Sequence, residues 1–194
     1  MKKLVFLAVS TLLFASLSAQ AQNMRVRGTI TSLDGDVLSV KTREGKDVKV
    51  QLASDAQVAT TKKVSADEFK AGSYVGVTSV KGPDGRLLAK RVHALGPQVP
   101  QMHGAWDGIP NSMMTNSNIT SITKAGKGNE LTLTNKEGEQ KILVDGDTEY
   151  YNFVPGTRAD LKAGETIFTG ARVEGDKILA QRVTVSKDGV KPPQ

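Results

Sequence analysis

The chain has 194 residues, with 26 Lys and Arg against 20 Asp and Glu and no cysteine. Disulfides, thiol nucleophiles and Cys-ligated zinc are thereby excluded, and His93 and His103 are the only imidazoles. Without Lys2 and Lys3 of the leader described next, the balance is 24 basic to 20 acidic residues, which is ordinary for a globular protein.

The first residues have the anatomy of a Sec signal peptide. Lys2 and Lys3 are followed by an apolar core from Leu4 to Leu17, and Ala19-Gln20-Ala21 supplies the small residues that signal peptidase requires. Residues 1–21 are expected to be removed after Ala21, leaving a mature chain from Gln22. The apolar run is shorter than the roughly twenty residues that span a bilayer, and no second one follows. Without a cysteine after it there is no lipid anchor, and there is no twin-arginine signal. The expectation is a periplasmic or secreted protein with no transmembrane segment after cleavage.

Val26 and Ile30 then mark a strand that ends at the Asp34-Gly35 turn, and Leu38 and Val40 alternate with polar residues on the next. After Glu44-Gly45, the alternation of Val48, Val50 and Leu52 with Lys49 and Gln51 predicts a third, half-buried strand. Ser65 and Glu68 form a capping box for a helix of one or two turns closed by Gly72. A fourth strand covers Tyr74 to Val80, Gly82-Pro83-Asp84-Gly85 reverses it, and Leu87 to Leu95 makes a fifth. Leu87 and Ala89 point one way and Val92 the other, which predicts a bulge between them.

The second half repeats the first. Ile30-Thr31-Ser32 recurs as Ile119-Thr120-Ser121, Arg43-Glu44-Gly45 as Lys136-Glu137-Gly138, and Glu68-Phe69-Lys70-Ala71-Gly72 as Asp160-Leu161-Lys162-Ala163-Gly164. Leu88-Ala89-Lys90-Arg91-Val92 recurs as Leu179-Ala180-Gln181-Arg182-Val183, and Thr157 with Asp160 repeats the capping box. The expected organisation is a domain at 24–95, a linker at 96–117, a second copy at 118–186 and a flexible tail at 187–194. The fold class is all-β: two tandem, small, OB-like five-stranded barrels, each with one short helix. A small two-sheet sandwich is the alternative.

The pattern resembles an uncharacterised family of exported bacterial domains, often duplicated. Its Gly-x-Ile-x-Ser stretch is Gly28 to Ser32 here, its Leu-Lys-x-Gly element is Phe69 to Gly72, and its closing Leu-x-Ala-x-Arg-Val is Leu87 to Val92. The resemblance implies an OB-like barrel and no assigned activity. The second copy departs from it at Ser117, where Gly28 stands in the first.

Functional signals are sparse. Asp34-Gly35-Asp36 and Asp145-Gly146-Asp147 lack the glycine and glutamate spacing of a calcium loop, and Gly126-Lys127-Gly128 leads into a strand rather than the helix of a phosphate loop. The two histidines are unrepeated, with Thr184 where His93 stands, and His93 reads as an exposed strand residue. No base is placed against a nucleophile, so no enzyme and no cofactor is expected.

Two candidate sites remain. Arg25, Arg27, Lys41 and Lys49 alternate with inward residues and make a basic exterior stripe that suits an anionic envelope polysaccharide. The second copy has Met114 and Asn116 where the first has Arg25 and Arg27. Strands two and three of the first copy carry no aromatic residue for base stacking, and with the export signal this argues against nucleic acid. The linker concentrates Met102, His103, Met113 and Met114, a soft donor set for copper(I), together with Trp106 and Ile109, which suit packing between the barrels or docking of a partner. The sequence reads as a non-enzymatic binding or structural protein whose partner is an envelope protein or glycan.

Overall fold

The computed structural model describes residues 22–192, so the expected leader at 1–21 lies outside the described residues. Among those residues there are twelve strands, no α-helix, and hence no helix long and apolar enough to cross a membrane. β1 (Gln22–Asp34), β2 (Val37–Thr42) and β3 (Asp47–Lys63) form an antiparallel meander, and β4 (Tyr74–Lys81) and β5 (Leu87–Ala94) a hairpin. After β6 (Met102–Trp106) comes a second meander of β7 (Ser112–Ala125), β8 (Gly128–Asn135) and β9 (Gly138–Val144). β10 (Glu149–Pro155) leads to a final hairpin of β11 (Thr166–Glu174) and β12 (Lys177–Val185).

The two meanders do not close with the hairpins that follow them. β1, β2, β3, β12 and β11 form a closed five-stranded barrel, with β11 antiparallel to β1 and β12 parallel to β3. β4 is antiparallel to β7, and β5 is parallel to β9 at Leu87↔Ile142 and Leu88↔Leu143, so β5, β4, β7, β8 and β9 form a second ring. Each ring takes a meander from one half of the chain and a hairpin from the other. The stretches 24–95 and 118–186 are therefore not separate closed units. β3 explains the exchange: at roughly 3.3 Å per residue its seventeen residues outrun a small barrel. Its far end pairs antiparallel with β10, Thr61 against Phe153, and carries the chain across to the other ring.

Each ring has its own core. Val26, Ile30, Leu38, Val40, Val50, Leu52, Ile167 and Val183 fill the first, and Val75, Val77, Val92, Ile119, Leu131, Leu133 and Ile142 the second. Val48, Leu88 and Leu179, whose strand patterns also suit the cores, are half-buried. The bulge foreseen in the fifth strand is present: the register of β5 against β4 passes from Ala89 to Arg91 and skips Lys90. Gly28 is required where β1 crosses β2, because a Cβ there would lie 2.1 Å from the Lys41 carbonyl oxygen.

Three expectations are corrected. The short helices are 3-10 turns of three residues, Ala66–Glu68 and Arg158–Asp160, capped by Ser65 and Thr157. They stop early because Phe69 and Leu161, the next residues, leave helical geometry and drop into the two cores. The span 96–117 is only partly a linker, since it contains β6 and Ser112–Ser117 of β7. The tail is folded through Pro192: the Thr61 hydroxyl donates to the Val190 carbonyl, and Arg91 Nη1 to the Pro192 carbonyl at 3.3 Å.

Candidate functional site

Strand alternation turns His93 and Gly76 outward from the second ring, because Val92, Val75 and Val77 point into its core. Register places His93, Gly76, Asn116 and Met102 in one row across β5, β4, β7 and β6. Gly76 has no side chain, and the His93 ring lies in the space it leaves: a Cβ on Gly76 would be 2.6 Å from both Cε1 and Nε2. Tyr151 stacks on His93 with centroids 5.1 Å apart and planes at 16°, and Phe153 meets it edge-on at 5.2 Å.

Outward here does not mean exposed. His93 is 4 % exposed, and its Nδ1 is buried with no hydrogen-bond partner among the described residues. Burial, helped by the Arg91 charge, pushes the imidazole down to about 4, so it is neutral at ordinary pH. The Tyr151 hydroxyl is likewise buried without a partner, and burial raises its pKa.

His93 lines a cleft of about 690 Å³ at the junction of the two rings. Met114 and Asn116 of β7 and Met102 and Trp106 of β6 form one side; Phe153 of β10, with Phe168, Arg182 and Thr184 of the first barrel, contributes the other. No carboxylate is among its lining residues.

The connection from β6 to β7, residues 107–111, forms a strap that begins beside the cleft at Trp106. Arg27 Nη1 and Nη2 donate to the two carboxylate oxygens of Asp107 at 2.8 and 2.9 Å, while its guanidinium lies over Trp106 at 5.1 Å and Phe168 at 4.9 Å. Arg25 also lies over Trp106, at 4.9 Å, and Arg43 donates to the Asp107 and Gly108 carbonyls at 3.0 Å each. Burial lowers the pKa of Arg27, against the pull of Asp107. Burial works to raise the Asp107 carboxyl, but the Arg27 hydrogen bond and charge hold it below the usual range.

These contacts redraw both sequence-level candidates. Arg27 is 5 % exposed, so the basic stripe is broken at that residue: Arg27 is held against the strap, whereas Arg25, Lys41 and Lys49 stay exposed, Arg25 over Trp106 and Lys41 3.4 Å from Asp47. The proposed copper ligands are also divided. Met102 and Met114 share the cleft face of the β6–β7 ribbon, whereas His103 and Met113 alternate onto the other, where His103 Nδ1 is 2.9 Å from the Thr115 hydroxyl. Trp106 is half-buried under the two arginines. Ile109 is half-buried, and its carbonyl accepts from the Ser112 hydroxyl at 2.7 Å. His93, read from sequence as exposed, is buried at 4 % exposure. Its one sequence-level signal was the aromatic run Tyr150-Tyr151-Asn152-Phe153, which holds two of the three tyrosines of the chain.

Compared with protein-family models, curated proteins and solved structures, the chain matches none.

Proposed function

We propose that this is an exported, periplasmic or secreted, non-enzymatic binding protein, and that the cleft at the ring junction is where it takes a small ligand. In this reading the scaffold is a duplicated OB-like unit whose two closing hairpins have changed places. The repeated sequence blocks and the parallel third-to-fifth strand pairing in both rings support that reading. The leader from Lys2 to Ala21 supports export.

The observation that carries the binding reading is a buried imidazole with an unpaired nitrogen beside an open, largely apolar cleft. Buried polar groups are almost always hydrogen-bonded, and ligand sites typically set a few such groups in an apolar wall. Catalysis is not favoured, since no carboxylate or nucleophile stands against His93 to make it a general base.

The test is titration of the mature protein with 1-anilinonaphthalene-8-sulfonate, followed by amide chemical shifts. Shifts centred on Ala94, Leu95, Val154 and Thr184 are expected, and they should be lost in Gly104→Leu. That side chain enters open space on the cleft face, meeting only the Met102 methyl at 3.7 Å. Shifts elsewhere, or none, would refute the site. Mass measurement of protein from an envelope fraction should give a chain starting at Gln22; retention of Met1 would refute export.

A further inference from the structure

We propose that the cleft takes an amphiphile with one anionic group, of the alkyl-carboxylate kind, whose charge is met by Arg182 and whose chain lies along the apolar wall. The inference rests on the cleft being a ligand site and adds what it binds. It starts from a difference between two copies of one motif. Leu88-Ala89-Lys90-Arg91-Val92 and Leu179-Ala180-Gln181-Arg182-Val183 each set an arginine just before a buried valine of a closing strand. In each case a parallel neighbour places a residue opposite that arginine. For Arg91 on β5 it is Glu149 of β10, and Arg91 Nε donates to its carboxylate at 2.9 Å. For Arg182 on β12 it is Gln57 of β3, and Arg182 Nη2 donates to the amide oxygen at 2.9 Å. The pairing is kept while the counter-charge is gone, and among the described residues Arg182 forms no ion pair.

The lining of the cleft turns that unanswered charge into a specificity. Arg182 is the only charged residue among those that line it. Arg27, whose guanidinium lies over Phe168, is already held by both carboxylate oxygens of Asp107 and brings little net charge. The rest of the wall is largely apolar, with Leu95, Val99, Met102, Trp106, Phe153 and Phe168 in it, and its volume of about 690 Å³ suits a small organic molecule. A cation would be repelled by Arg182, and a purely hydrophilic anion would gain nothing from the apolar wall. An apolar chain ending in one carboxylate uses both, because a guanidinium presents a fork of N–H donors that matches the two carboxylate oxygens.

The experiment titrates the full mature chain with decanoate and with decan-1-ol, which has the same chain without the charge. Amide shifts and the Arg182 Nε–H resonance are the readouts. Decanoate should move Ala94, Leu95, Val154 and Thr184 together with the Arg182 signal, and should bind about 5-fold or more tighter than the alcohol. Gln57→Glu, at an exposed position, recreates the arrangement of Arg91 with Glu149 and should abolish that preference with the arginine still in place. Arg182→Gln should abolish it as well, and neither variant should change the affinity for decan-1-ol by more than about 2-fold. Equal affinity of the wild type for the two probes overturns the anionic class while the cleft stands. A preference that survives Gln57→Glu and Arg182→Gln overturns Arg182 as its source. If neither these probes nor the anilinonaphthalene probe binds, both readings fall together.

Discussion

Matching rows of residues cross the two rings. On the first barrel the row is Thr184, Phe168 and Arg27 across β12, β11 and β1; on the second ring it is His93, Gly76 and Asn116 across β5, β4 and β7. Each row carries one ring, supplied by a different strand. In the first, the middle strand supplies Phe168, and the outer position is an arginine stacked on that ring and tied to Asp107. In the second, the middle position is bare, β5 lays His93 over it, and His93 and Asn116 line the cleft. One backbone pattern thus serves as the anchor of a strap on one side and as the wall of a cleft on the other, according to which strand contributes the aromatic.

The strongest test of this comparison is to rewrite one row as the other. Gly76→Phe alone places a ring where His93 already lies and should cost about 3 kcal/mol or more in urea unfolding. Adding His93→Thr, which reproduces the Phe168–Thr184 pair, should restore at least half of that loss. If the second change restores nothing, the rows are not interchangeable.

The next effect is specific to the second row. Its folded-state imidazole protonates only near pH 4, whereas in the unfolded chain it does so near 6.5. As pH falls through that window the unfolded state gains a proton that the folded state refuses. The His93 contribution is therefore complete above pH 6.5 and is lost progressively down to about pH 4, on the order of 3 kcal/mol in all. Stability profiles of wild type and His93→Thr should converge as pH falls. Parallel profiles would remove His93 as their cause.

The first row should respond to loss of its cation. Arg27→Ala empties the space between Trp106 and Phe168 and leaves Asp107, itself half-exposed, without its main partner. A cost of about 2 kcal/mol is expected, with a red shift of Trp106 emission as the strap loosens. An unshifted spectrum would mean that the strap is held without Arg27. The smallest effect belongs to the residues outside both rows. Lys41→Gln with Lys49→Gln should leave the melting midpoint unchanged, because exposed charges contribute little, and a measurable fall would point to a surface role for the pair.

What the sequence by itself determined is local. The alternation of Val48, Val50 and Leu52, the turns at Asp34-Gly35 and Glu44-Gly45, and the bulge between Ala89 and Val92 depend on residues two to four positions apart, and all are found where the pattern places them. The tertiary structure decided partnership. The β4–β5 and β11–β12 hairpins share Leu-Ala-x-Arg-Val, so either can pack its apolar face against either meander. That shared motif does not distinguish the two arrangements; the pairing of the far end of β3 with β10 accompanies the one found. The same reason hid the site. Arg27 and His93 both alternate outward from their own cores, which in one isolated barrel means water. What covers them comes from far along the chain: Trp106 and Asp107 over Arg27, Tyr151 and Phe153 over His93. Strand periodicity specifies which side of a sheet a residue occupies, but whether that side meets solvent depends on what the rest of the chain packs against it.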